Sequence, residues 1–289
     1  VVRNYILKNI FIKNIKKQRN LKIIEEESLK NIFNEKDFIF SFTDNYKFKS
    51  KLVVACDGKF SSVRNLLKTQ KFSKQYKHSA LVLNFSHTKN HHNTAYEIFY
   101  KSGPLALLPM KSISKKNFST SLIWSHEKDY VQSIANIDKK LQKEIIYEKI
   151  QNYSGKIINI FDSKFFNLSA HINSKFFEKR LVYVGDAAHS IHPIAGQGWN
   201  LGIRDIKNIL DVVTNFSSMG LDIGSVEACT KYNNMSYHDA FSLYQITDKL
   251  NNIFLNDSKL VKYSRFVGFK LIEKNQSIKK LISNYAMGL

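Results

Sequence analysis

The chain has 289 residues, 43% hydrophobic and 24% charged, with three prolines and eleven glycines, enough apolar material for one large domain or two joined ones and too little Pro and Gly for a linker-rich chain. The net charge of +20 raises nucleic acid or an anionic membrane as partners, but the lysines run along the whole length with no basic patch tied to a nucleic-acid motif, so nucleic acid is set aside. Cys56 and Cys229, without CxxC spacing, exclude a disulfide framework and a cysteine zinc site and fit a reducing, cytoplasmic compartment; no apolar run reaches the ~18 residues of a membrane-spanning helix, and no secretory signal opens the chain.

Val2, Tyr5, Ile6, Ile10, Phe11 and Ile15 recur at helical spacing and predict a helix over 2–18. Leu21–Ile24 reads as a short strand. Asp37–Thr43 alternates apolar and polar residues, Asp44-Asn45 supplies turn chemistry, and Tyr46–Lys49 resumes as a strand, which predicts a hairpin. Lys51–Cys56 is a compact apolar run, as in a strand buried on both faces. It ends at Asp57-Gly58, after which Ser61 or Ser62 can cap a helix running to Leu67. Residues 78–125 hold four strand-like stretches (SALVLNFS, AYEIFY, PLALLPM, FSTSLIW), 127–153 is helical and polar, and SKFFNLSAHI is another strand. Leu181–Val184 is a short buried strand that runs into a loop with Gly185, Gly196, Gly198 and Gly202. A helix follows to about Phe216, and from 226 onward the pattern is helical. This order predicts an α/β domain interrupted by an antiparallel insertion and followed by a helical tail.

The densest chemistry lies in Leu181–Arg204, LVYVGDAAHSIHPIAGQGWNLGIR. A buried strand ends at Gly185, where the backbone must turn sharply or let a ligand approach. Asp186 then stands at the strand's carboxyl end, where open α/β sheets bind ligands, and its carboxylate suits sugar-type hydroxyls. Pro193 stiffens the loop. Gly196 and Gly198 leave peptide N–H groups uncovered, and the helix beginning there turns its positive end toward whatever lies in front. Such a site suits a ligand with hydroxyls and delocalised negative charge. The same spacing is compatible with an ordinary glycine-rich turn capped by Asp. A second strand ending, Leu52–Leu67 (LVVACDGKFSSVRNLL), offers Asp57 to a hydroxyl or a cation, and Arg64 to a phosphate or to Asp57 itself. A cap and a surface arginine would read the same way.

GDAAHSIHPIAGQGWNLGIRD resembles the second FAD-binding motif of the FAD-dependent aromatic hydroxylases, the p-hydroxybenzoate hydroxylase-like family. HPIAGQG, an aromatic, then NLG-R-D resembles its ubiquinone-biosynthesis branch, the 2-polyprenyl-6-methoxyphenol hydroxylase-like proteins. ACDG with SxVR resembles the family's Asp-Gly motif, with Cys56 where Ala is usual. EIFYKSGPLALLP resembles the sheet over the substrate side of the flavin, and the end of the chain, through Ala286-Met287-Gly288, resembles the branch's C-terminal helices. Proline is usual near Asn275 or Gln276 and is absent here. Arg3 falls where members carry a flavin-proximal arginine, or it lies on the surface.

The resemblance implies a glutathione-reductase-type, Rossmann-like FAD-binding fold. The expected division is 1–75 and 164–216 for the flavin domain, 76–163 for an antiparallel substrate sheet, and 217–289 for a helical region. It implies FAD held by Asp57, Gly58, Arg64, Gly185, Asp186, Pro193, Gly196, Gln197, Gly198 and Asn200, with NAD(P)H or another reductant as electron donor. The implied activity is hydroxylation of a polyprenyl phenol by O2 activated at the flavin C4a carbon. No acid or base is assigned, His192 being the nearest candidate, and no metal is expected, neither at His91-His92 nor at Asp186, His189 and His192. The basic C-terminal helices are read as core packing or as peripheral contact with the inner face of the cytoplasmic membrane. The family's GxGxxG is not found, so the chain is expected to be a piece of something longer by roughly 100 residues. The alternatives are a hydroxylase of another aromatic compound, a related flavin reductase, and a non-catalytic scaffold or truncated relic.

Overall fold

A computed structural model describes residues 2–112, 116–256 and 258–287. In chain order the elements are α1 (Asn4–Ile15), β1 (Asn31–Asn34), β2 (Ile39–Phe42), β3 (Lys47–Ser50), β4 (Val53–Ala55), α2 (Ser62–Leu66), β5 (Lys71–His87), β6 (Tyr96–Tyr100), β7 (Gly103–Met110), β8 (Phe118–Glu127), α3 (Lys128–Asn136), α4 (Lys139–Ser154), β9 (Ile157–Asn173), β10 (Phe177–Glu178), β11 (Leu181–Tyr183), β12 (His189–Ser190), α5 (Gly198–Ser218), α6 (Val226–Leu255), α7 (Lys259–Lys274) and α8 (Gln276–Met287). Packing divides them into two units, residues 1–24 with 76–168 and residues 25–75 with 169–289. Residues 1–24, expected in the flavin domain, therefore group with the strand-rich unit.

In the α/β unit, β11 lies between β10 and β4. It is antiparallel to β10 and parallel to β4, with Leu181, Val182 and Tyr183 opposite Val53, Val54 and Ala55. β1, β2 and β3 form an antiparallel meander. β11 is fully buried against Leu201, Ile209 and Tyr232, because α5 and α6 pack over it. Among the described residues β4 pairs with β11, and Val54 is 44% exposed. Leu21–Ile24 forms no strand, and Leu21 and Ile23 are exposed. The first strand is instead Asn31–Asn34, whose two inner apolar residues are too few to alternate visibly.

In the strand-rich unit the strands run β9-β5-β8-β7-β6, with the β5–β8, β7–β8 and β6–β7 pairs antiparallel. Successive side chains alternate faces. One face sends Leu81, Leu83, Leu105, Leu122 and Trp124 into a core shared with Val131 and Ile134 of α3 and Ile146 and Ile150 of α4. The stretch 127–153, read as polar, thus packs through a narrow apolar stripe. α1 buries none of its residues.

Arg180 ties distant parts of the α/β unit together. Its side chain is 4% exposed and donates to the carbonyls of Lys36 and Lys51 and to both carboxylate oxygens of Asp222. Arg180→Ala strands those acceptors and is expected to cost about 3 kcal/mol, read as a lower urea midpoint at unchanged m-value.

Candidate functional site

Parallel pairing fixes where the two motifs emerge. Because β4 and β11 run in register, Cys56-Asp57-Gly58 and Val184-Gly185-Asp186 leave the sheet side by side at its carboxyl end. Gly185 turns with φ +60°, which glycine adopts without strain. A Cβ built there would stand 3.9 Å from Gly202 Cα, so α5 passes close to the turn. Asp205 clamps it. Its Oδ2 accepts Gly185 N at 2.9 Å and lies 2.7 Å from His189 Nε2, and both side chains are 1% exposed. Tyr232 Oη donates to Tyr183 O at 2.7 Å and fixes the strand end just before the turn. Asp186 is left exposed on the cleft wall.

On the β4 side, Gly58 turns with φ +82°. Burial raises the Asp57 carboxyl, but hydrogen bonds involving Ser61, the Val63 amide and Ser62 outweigh it and hold the group below the usual range. Asp57 Oδ2 accepts from Ser62 Oγ and Val63 N, each at 3.1 Å, and so secures the start of α2. Ser61 caps α2 through Arg64 N, as one of the two expected serines. Arg64 departs from expectation. It makes neither an ion pair with Asp57 nor part of the cleft wall, because its side chain turns inward and is 2% exposed. It donates to Lys59 O at 2.7 Å and Ala187 O at 3.1 Å and meets His171 Nε2 at 3.0 Å. Burial, then the charges of Arg64 and Lys71, push the His171 pKa down to about 3, so His171 is neutral and its Nε2 accepts from Arg64.

Between the two strand ends and α5 lies a cleft of about 620 Å³, within the ~300–1,000 Å³ usual for small-molecule sites. Its wall includes Gly58, Asp186, Ile191, Pro193, Gly196, Gly198 and Trp199. Gly196 has φ +61°, and a Cβ at Gly58, Gly196 or Gly198 would meet only open space. α5 starts without a side-chain cap, so the peptide N–H groups of its first turn are open to a ligand. Gln197 and Asn200 bond each other through Oε1 and Nδ2 at 3.3 Å, beside that turn. His192, the nearest candidate acid or base, is 1% exposed, and its Nδ1 takes the Ile194 N–H at 3.3 Å.

These groups fit FAD. A flat glycine- and proline-lined wall accepts a planar ring, Asp186 accepts from hydroxyls, and uncapped amides at the positive end of a 21-residue helix suit a delocalised negative charge. Asp205 is the functional residue that motif reading missed. The signal was present: the buried stripe of α5 is Leu201, Asp205, Ile209 and Val212, and a carboxylate on such a stripe needs a structural or chemical partner.

A parallel α/β pair with a ligand cleft at its carboxyl end and a glycine-rich turn into a helix defines the class of nucleotide-cofactor-binding proteins. Within that class the chain belongs to the FAD binding domain family, which it matches over residues 39–215. It is 29% identical over 248 residues to "Ubiquinone hydroxylase UbiL" of Rhodospirillum rubrum, covering 86% of this chain and 57% of the relative. It is 28% identical over 241 residues to "3-demethoxyubiquinol 3-hydroxylase" of Escherichia coli, covering 83% and 60%. The chain thus spans somewhat over half the length of these curated relatives. In fold it is similar to p-nitrophenol 4-monooxygenase PnpA from Pseudomonas putida DLL-E4, with TM-score 0.77, 14% identity, and coverage of 99% of this chain and 73% of that one.

Two outcomes are expected here. Gly198→Val fills the cleft without touching the core, since a Cβ there meets open space: flavin absorbance of the purified protein should be lost while Tm stays within a few degrees. Stability should fall with acid, because the folded state holds His171 neutral, its pKa near 3, while the unfolded state binds the proton from about 6.5 downward. The loss therefore runs from about pH 6.5 toward pH 3, and His171→Gln should flatten it in urea titrations at several pH values.

Proposed function

We propose that this protein is an FAD-dependent monooxygenase that hydroxylates the aromatic ring of a polyprenyl phenol in ubiquinone biosynthesis. The observation that carries the reading is the cleft at the β4 and β11 ends, with Asp186 and the uncapped start of α5 on one wall, in a chain whose relatives are named ubiquinone hydroxylases. FAD, when bound and reduced by NAD(P)H, supplies the activation of O2, and the chain's own residues bind, orient and exclude water.

Asp186 would accept hydrogen bonds from the ribityl hydroxyls of bound FAD. The uncapped first-turn amides of α5 would favour negative charge on the bound ring, a preorganised electrostatic effect. Pro193, Ile191 and Trp199 of the cleft wall would hold the ring. Asp57 acts by holding Gly58 and the start of α2 in place, and Arg64 acts by bracing Ala187, which supports the Gly185 turn from behind. Asp205 sets that turn. Asp205→Asn should weaken FAD binding about tenfold in a fluorescence titration, the size of one charge-assisted hydrogen bond.

The strand-rich unit supplies the substrate face. Opposite the helix-covered side, Val82, Ile123, Ala106 and Glu97 stand in one cross-strand row. Glu97 is the exposed, acidic member of that row.

Quinone extraction from a strain lacking the gene tests the whole reading. An accumulated, under-hydroxylated polyprenyl precursor that disappears on complementation is expected; an unchanged quinone profile contradicts it.

A further inference from the structure

His189 lies behind the Gly185 turn, its side chain 1% exposed, and forms no part of the cleft wall. Three constraints hold it. Its backbone pairs with Ile172 of β9. Its ring centroid lies 5.4 Å from that of Phe176, which is fully buried and donates its amide to Asn233 Oδ1 at 2.9 Å. Its Nε2 meets Asp205 Oδ2 at 2.7 Å, the same oxygen that accepts Gly185 N at 2.9 Å. A carboxylate oxygen only accepts, so Nε2 carries a hydrogen.

The charge on Asp205 bears on the cleft. Both side chains are withdrawn from water, where screening is weakest. Gly185, which Asp205 holds, is part of the cleft wall. A bare negative charge at that depth opposes the delocalised negative charge that the open first turn of α5 favours, and a buried carboxylate without a counter-charge is costly in itself. Buried Arg64 does not supply one, being committed to Lys59 O, Ala187 O and His171. Among the described residues the basic group paired with Asp205 is His189. We propose that His189 is a positioning residue of the flavin site: its imidazole carries the proton that offsets Asp205, so Asp205 stays fixed on Gly185 without setting a net negative charge behind the bound flavin. The inference rests on FAD occupying the cleft and is independent of which ring is hydroxylated.

The reduction potential of bound FAD, measured against reference dyes in the full chain, tests it. His189→Gln keeps an N–H beside Asp205 but leaves its charge without an offset. The reduced form should be disfavoured about tenfold, a fall of about 30 mV for a two-electron couple. His189→Gln/Asp205→Asn removes both charges and should return the potential to the wild-type value, even though Asp205→Asn weakens binding. A histidine that only fills space would give no such reversal. An unchanged or raised potential in His189→Gln, or a double variant that stays low, overturns the proposal. A second measurement needs no flavin. Long-range proton–nitrogen NMR spectra of the wild-type protein should show both ring nitrogens of His189 protonated at neutral pH. A ring protonated on Nε2 alone overturns the proposal, including where His189→Gln does not fold. A purified protein that takes up no FAD contradicts the FAD reading instead, and the nitrogen spectrum still decides the charge on His189.

Discussion

The parallel register of β4 and β11 is the constraint from which the rest follows. Antiparallel neighbours would send the two strand ends to opposite edges of the sheet. Parallel neighbours deliver both to one edge, so Asp57-Gly58 and Gly185-Asp186 stand together although residues 76–168 of the strand-rich unit intervene in the chain. The Gly185 turn then depends on Asp205, a buried carboxylate reaching from α5 to the turn's amide and to His189. The helix that offers its open N-terminus to the ligand is therefore the same helix that fixes the turn beside it, and the two walls of the cleft are set by one short set of contacts.

What the residues revealed in advance were features with strong local physics. Gly58, Gly185 and Gly196 all take positive φ at the cleft, which is why glycine stands at each. LVYV was legible because a strand buried on both sides is apolar throughout. KLVVAC looks the same, and its strand pairs in parallel with LVYV. NIFN was missed because a four-residue strand offers too few alternations. Leu21–Ile24 was overread for the converse reason: a short apolar cluster carries no pairing information.

Side-chain direction was the other gap. Arg64 sits three residues after Ser61, close enough in sequence to suggest either a phosphate or Asp57, but its partners Ala187 and His171 lie more than a hundred positions away. Only the fold brings those acceptors under it, and an arginine with a carbonyl on each side has no reason to face solvent. Asp205 was hidden the same way, its partners Gly185 and His189 being local to the motif while its burial was not. The basic character of the C-terminal helices was legible in the residues, and the fold adds that Leu260 and Tyr263 of α7 are exposed.

A structure of the protein with FAD bound tests the account most directly. The account predicts the flavin ring beside Pro193, its polar edge toward the first-turn amides of α5, and the ribityl chain on Asp186. FAD seated away from the β4 and β11 ends, or a cleft closed by Trp199 and Ile203 with no ring in it, would contradict it.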